Sequence, residues 1–160
     1  PVRDADHYEI RTVTDAFEGT IQSKLGIHTV TDSIGLYLAE GDPFYTVQKN
    51  GSEEVDYSIY DYSALDTKDK YAVFFGGNQA LVKISTRAKA DRRFLVIQDS
   101  YAHCFLPFLF EDASEIDVVD LRYYNQKLSD LIAEGNYTDV LFLYNVAGFA
   151  EDMSLAKLLG

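Results

Sequence analysis

Ser100 stands at the end of Phe94-Leu95-Val96-Ile97-Gln98-Asp99-Ser100, just past four consecutive apolar residues. A continuous apolar run of that length reads as a strand buried on both faces, the kind found in parallel sheets. Ligands of open parallel sheets bind at the carboxyl ends of the strands. A hydroxyl just beyond such a strand is therefore placed for nucleophilic chemistry. A tight strand-to-helix turn exposes it, and the N–H groups of the following helix favour a developing oxyanion. Asp99 and Ser100 are also preferred helix caps, and this purely structural role stands beside the catalytic one. Two further runs, Glu115-Ile116-Asp117-Val118-Val119 and Val140-Leu141-Phe142-Leu143-Tyr144, end in Asp120-Leu121-Arg122 and in Asn145. They bring polar groups to the same edge. Phe75-Gly76-Gly77-Asn78 adds paired glycines that let backbone approach a ligand, and an amide able to donate to an oxyanion. An ordinary turn explains the same residues.

A serine nucleophile needs a base. The chain has three histidines, His7, His28 and His103. His103 follows Ser100 by three residues and is expected to point along the helix rather than back at the hydroxyl, as a core or a surface histidine. His7 lies near the start, and His28 lies in a loop-like stretch. Position alone assembles no triad from them. Cys104 sits among Phe105, Leu106 and Phe108, apolar neighbours that raise a thiol pKa, so it is not read as a nucleophile. One cysteine excludes an internal disulfide framework and a Cys-cluster zinc site. Asp56 and Asp61 flank Tyr57-Ser58-Ile59-Tyr60 without EF-hand or His-x-x-x-His spacing. No metal and no cofactor are called for. Lys83, Arg87, Lys89, Arg92 and Arg93 precede the 94–97 strand, at its amino end, and read as a solvated loop.

These groups need a framework. The chain has 160 residues, 14 Lys+Arg against 26 Asp+Glu, and a formal net charge of −12. That length is one domain, and a chain of this size buries roughly two-thirds of its unfolded surface. The hydrophobic fraction of 47% fits a folded globule rather than a disordered tail. The acidity argues against nucleic acid, whose phosphates need clustered Lys and Arg, and against an anionic membrane surface. No apolar run approaches the ~18 residues of a membrane span.

The first half reads as strands and turns. Tyr8–Val13 alternates and predicts a strand. Asp15, with Glu18 three residues on, fits the cap of a short helix that Gly26 closes. Ser33–Leu38 is a second strand. Phe44–Lys49, Asn50-Gly51 and Glu54–Ile59 form the clearest hairpin signal, because Asn-Gly supplies the positive φ values of a two-residue turn. Tyr71–Phe75 and Leu81–Ile84 are shorter apolar runs. The second half alternates strand and helix: 94–97, a crossover through Tyr101–Phe110 that Pro107 kinks, and 115–119. A helix then carries Tyr124, Leu128, Leu131 and Ile132 on one face and ends at Gly135. Strand 140–144 and a last helix over Met153–Leu159 complete it. The three late strands are expected to be parallel neighbours. Residues 85–92 read as a loop within the domain.

Several blocks resemble the bacterial family named for its Asp-His-His-Trp motif. The nucleophile segment is Leu95-Val96-Ile97-Gln98-Asp99-Ser100-Tyr101-Ala102 with Phe105-Leu106-Pro107-Phe108. Phe17-Glu18-Gly19-Thr20, Asp69-Lys70-Tyr71-Ala72-Val73-Phe74 and Gly76-Gly77-Asn78 agree, as do Asp120-Leu121-Arg122-Tyr123-Tyr124 and Asp139–Asn145. The resemblance runs from about Tyr8 to the end. It implies a relative of the SGNH hydrolases, similar to alginate O-acetyltransferase-like domains. It thus implies a single α/β domain over residues 1–160, with a three-layer, flavodoxin-like parallel sheet and an added antiparallel hairpin. It gives the nucleophile role to Ser100 and an oxyanion or substrate-binding role to Gly77, Asn78, Asp99 and Asn145. The implied activity is that of a serine esterase or O-acyltransferase on polysaccharide or other acylated carbohydrate of the cell envelope, outside the cytoplasm. The naming motif is absent and the chain has no Trp. In the family that motif lies upstream of the Phe-x-Gly-Thr block, so it would fall before Pro1, and the catalytic His and Asp with it. The glycine that usually precedes Asp-Ser in the superfamily is Gln98 here. The rival expectation is a non-catalytic envelope domain that binds glycan or protein through Tyr57, Tyr60, Tyr62, Tyr123 and Tyr124.

Overall fold

The computed structural model describes residues 5–26, 30–39 and 44–159. His28 lies outside them. Among the described residues seven strands form two sheets. β1 (Tyr8–Phe17) and β2 (Asp32–Ala39) make an antiparallel ribbon of their own. β3 (Tyr45–Lys49), β4 (Leu81–Thr86), β5 (Arg93–Gln98), β6 (Glu115–Val119) and β7 (Asp139–Leu143) make a five-stranded sheet in the order β3-β4-β6-β5-β7. The α-helices are α1 (Thr20–Leu25), α2 (Leu128–Gly135) and α3 (Val146–Glu151).

The three apolar runs are parallel neighbours as their composition requires, with β5 between β6 and β7. The sheet as a whole is mixed, not parallel throughout, because β4 runs antiparallel to β6 and β3 antiparallel to β4. Alternation along the parallel strands separates two cores. Phe94, Val96, Ile116 and Val118 face one side, where Ile34 and Leu36 of the ribbon and residues 59–75 and 106–110 cover them. Leu95, Ile97 and Val119 face the other, where Leu128 and Leu131 of α2 lie with Leu121 and Tyr124. Both faces of β5 are thereby dry, as its unbroken apolar sequence demands.

Three local expectations are corrected. The Asn50-Gly51 turn forms, with φ of 54° and 73° and the Ser52 N–H donating to the Lys49 carbonyl. The return arm 54–59 gives only one bridge, Asp56 to Val47, because Ile59 turns into the core, and the ladder that β3 does form is with β4 on its other edge. Asp15 caps no helix: β1 continues through it to Phe17, and Gly19 precedes α1, although Gly26 closes that helix at φ 65°. The crossover 101–110 is two short 3-10 turns, Ser100–Ala102 and Leu106–Leu109, with Pro107 opening the second. Proline removes a backbone donor, and a run of bulky aromatics has poor helix propensity. Tyr8 and Tyr37 of the ribbon pack on Phe108 and hold this crossover from outside.

The basic cluster sits at the amino edge. Arg92 pairs with Asp139 and Arg93 with Glu115, so two of its three arginines clamp neighbouring strands. The tyrosines do not make one platform. Tyr124 is buried in the second core and Tyr60 packs on Phe74, while Tyr57, Tyr62 and Tyr123 are exposed.

Candidate functional site

β5 ends at Gln98, and the chain turns at once. Asp99, in extended conformation, caps the 3-10 turn 100–102: its Oδ1 accepts the Tyr101 N–H at 3.0 Å. Its Oδ2 accepts the Asn145 backbone N–H at 3.0 Å and the Asn145 side-chain amide at 2.5 Å. Asn145 in turn caps α3, its Oδ1 accepting the Gly148 N–H at 2.8 Å. One carboxylate, 4% exposed, thus ties the exit of β5 to the exit of β7. Gly148 is a glycine for the same reason, since a Cβ there would meet the Asn145 amide at 2.6 Å and Asp99 Oδ2 at 3.0 Å.

Ser100 is partly exposed on this turn and lines a cleft of about 260 Å³ with Asp99, Tyr101, Arg122, Tyr144, Asn145, Gly148, Glu151 and Asp152. The exits of all three parallel strands therefore meet at one opening. From the β6 exit, buried Asp120 grips Arg122 in a two-point pair, Nε at 2.9 Å and Nη2 at 2.5 Å. That pair pushes the guanidinium pKa up and fixes a permanent positive charge at the cleft. The hydroxyl of Tyr144 and Oδ2 of Asp152 are shielded from solvent and have no hydrogen-bond partner among the described residues. Burial and the Asp152 charge push the Tyr144 pKa up.

Gly77 and Asn78 reach the same edge, because β4 begins opposite the carboxyl end of β6, with Leu81 facing Val119. They do not line the cleft. The Asn78 amide donates to the Tyr123 hydroxyl at 3.3 Å, one residue from Arg122. The turn before it is unusual: Phe75, Gly76 and Gly77 all have positive φ, 63°, 70° and 95°. Buried Phe75 in that region carries backbone strain, which the glycines do not.

The two described histidines are not in the cleft lining. His7 contacts Glu111 at 2.8 Å. His103 is 3% exposed, stacks on Tyr71 and meets the edge of Phe75. Of the two places left open for it, core and surface, it takes the core. Burial pushes its pKa down to about 4, so it is neutral at pH 7. Among the described residues no group of three His, Cys, Asp or Glu stands together to hold a metal, and no helix is long and apolar enough to cross a membrane.

Sequence reasoning missed Tyr144, Gly148, Glu151 and Asp152 as cleft residues and named Arg122 only as a strand exit. The strand-exit rule covers Tyr144, and the Asn145-to-Gly148 capping interval marks where α3 turns over the cleft. The Asp120–Arg122 grip shows in the sequence only as an i, i+2 pair.

Three solved structures share this fold. A DHHW family protein from Eubacterium siraeum is 26% identical, with a TM-score of 0.82 over all of this chain and 55% of that one. PatB1 from Bacillus cereus with a sulfonyl adduct is 23% identical, with a TM-score of 0.75 over 96% of this chain and 51% of that one. A second structure of Bacillus cereus PatB1 is 22% identical, with a TM-score of 0.74 over 95% of this chain and 53% of that one. The PatB1 likenesses are likenesses of fold. The chain spans about half the length of these structures. No match is found among curated proteins. Residues 16–119, more than half of the chain, match the model of the DHHW protein family, and the chain belongs to that family.

Proposed function

We propose that this chain is the serine-bearing part of an SGNH-type acyl-transfer enzyme of the alginate O-acetyltransferase-like kind. It would act as an esterase or O-acyltransferase on acylated cell-envelope polysaccharide outside the cytoplasm. The observation that carries the reading is the position of Ser100: at the carboxyl end of the central parallel strand, partly exposed, in a cleft that also holds the charge of Arg122. Ser100 Oγ attacks the acyl carbonyl carbon and gives its proton to a base. The tetrahedral oxyanion is held by the Ser100 N–H, with Arg122 at the cleft as a further donor. Asn78, whose amide donates to Tyr123 outside the cleft lining, is not one of these donors. Collapse breaks the acyl–oxygen bond, and the protonated base returns the proton to the leaving sugar oxygen. Water or an acceptor hydroxyl then takes the acyl group from the serine. Asp99 and Asn145 hold the turn and touch no reacting atom. The base in this reading is the upstream Asp-His motif. The Bacillus cereus protein of this fold has been solved with a sulfonyl adduct, which supports the reading.

The absence of His7 and His103 from the cleft lining favours one second reading, a non-catalytic domain that binds glycan or protein. A fluorophosphonate probe separates the two. An unassisted serine hydroxyl is a weak nucleophile, so the 160-residue chain should label slowly. The polypeptide as its natural reading frame encodes it should label rapidly on Ser100, and Ser100→Ala should abolish the signal. An encoded polypeptide that takes no label, while remaining folded, supports the binding domain. Equal, rapid labelling of both forms means that the 160 residues already hold a base.

A further inference from the structure

β7 is a parallel strand at the edge of its sheet, and among the described residues no strand pairs with its outer side. Parallel strands are normally covered on both faces. β5 is, but β7 is not. Leu141 and Leu143 pack into the larger core. The alternate residues Val140 and Phe142 face the side of the sheet that α2 covers elsewhere, and they are 53% and 48% exposed. Tyr144, next on that face, touches Phe149 of α3, which is 56% exposed, and Ile132 of α2 is open as well. From Val140 to Ala150 there is no charged residue, in a chain 25% charged. Exposed strand edges are ordinarily blunted by charged side chains or proline, and beyond Asp139, which pairs with Arg92 at the start of the strand, this one carries neither. The solved relatives carry nearly as much chain again beyond the part that matches.

We propose that the outer edge of β7 and the apolar surface of Val140, Phe142 and Phe149 are a docking surface for further polypeptide of the same protein. The occupant is an extended segment that pairs with β7 and lays apolar side chains over these three. Main-chain pairing supplies the affinity, and alternate side chains fill the surface. Charge complementarity plays no part, since the surface offers none.

Hydrogen exchange tests it, comparing the 160-residue chain with the polypeptide as its natural reading frame encodes it. Amides of residues 139–149 should exchange at least tenfold more slowly in the encoded form. Phe142→Asp should leave the urea midpoint of the 160-residue chain unchanged and lower that of the encoded form. Equal exchange in the two, whether the encoded form is longer or identical, overturns the proposal. So does a 160-residue chain that sediments as a dimer and that Phe142→Asp dissociates, because the occupant is then a second copy. None of these measurements reads Ser100, so their failure leaves the acyl-transfer reading standing, and the reverse holds too.

Discussion

Replacing Asp99 by alanine should lower the unfolding free energy by about 4 kcal/mol, seen as a fall of about 2 M in the urea midpoint. Asp99 is buried and its two oxygens accept three N–H groups, from Tyr101, the Asn145 backbone and the Asn145 side chain. Each hydrogen bond to a charged group contributes about 1.5–3 kcal/mol, and orphaned donors add their own desolvation cost. Water reaching the truncated site recovers part of this. Total stability of a domain this size is about 5–15 kcal/mol, so the loss is a large fraction of it. Asp99→Asn separates the hydrogen bonds from mere volume. A carboxamide offers one acceptor end, which should turn to Asn145 and keep two bonds. Its amino end then faces the Tyr101 N–H, donor against donor. The expected cost is about 2 kcal/mol, roughly half that of alanine. Equal midpoints for the two variants would show that the lost acceptors are not what holds the turn. Because Asp99 joins the exits of β5 and β7, both variants should also slow labelling of Ser100 in any form that labels rapidly.

The parallel half of the fold was legible from its continuous apolar runs: Phe94–Ile97 and Ile116–Val119 are buried on both faces, and Val140–Leu143 has the same composition although one of its faces is open. The antiparallel half was not. The burial pattern of Leu81–Thr86 suits an edge ribbon as well as a sheet interior, and only the long-range pairing with Val119–Glu115 decides. The Asn50-Gly51 turn is local chemistry and formed. Its second arm depended on whether Ile59 would remain on a ribbon or enter the core, which is a tertiary choice. The strand-exit rule brought Ser100, Asp99 and Asn145 to one cleft, since it needs only strand direction. Asn78 followed only as far as the same edge, because its bond to Tyr123 spans 45 residues. Glu151 and Asp152 lie beyond the α3 cap, where how sharply the helix turns back sets their position. The apolar crossover 101–110 looked helical by composition, and the ribbon residues packing on Phe108 favour its two tight turns.

Acidification from pH 7 to pH 4 should cost the wild-type chain about 3 kcal/mol more than it costs His103→Gln. Burial between Tyr71 and Phe75 takes the imidazole out of water and lowers its pKa to about 4 from an ordinary 6.5. Asp120 and Asp99 pull the value up and Arg122 pushes it down, but burial dominates. The sign follows from which state takes the proton. Above pH 6.5 the ring is neutral folded and unfolded, and it contributes no pH dependence. Between 6.5 and 4 the unfolded chain binds a proton that the folded chain does not, so stability falls as pH falls. Below 4 both bind it and the loss levels off. One pKa unit is about 1.4 kcal/mol, which gives the figure above. Acid also protonates carboxylates of the chain, a loss that wild type and variant share, so the difference between their profiles isolates His103. Urea midpoints at pH 7, 5.5 and 4 for both proteins measure it. Parallel profiles would mean that His103 reaches water, and that the Phe75–Gly77 turn packed against it is open. A histidine NMR titration midpoint near 4 in the folded wild type would agree with the stability difference by an independent route.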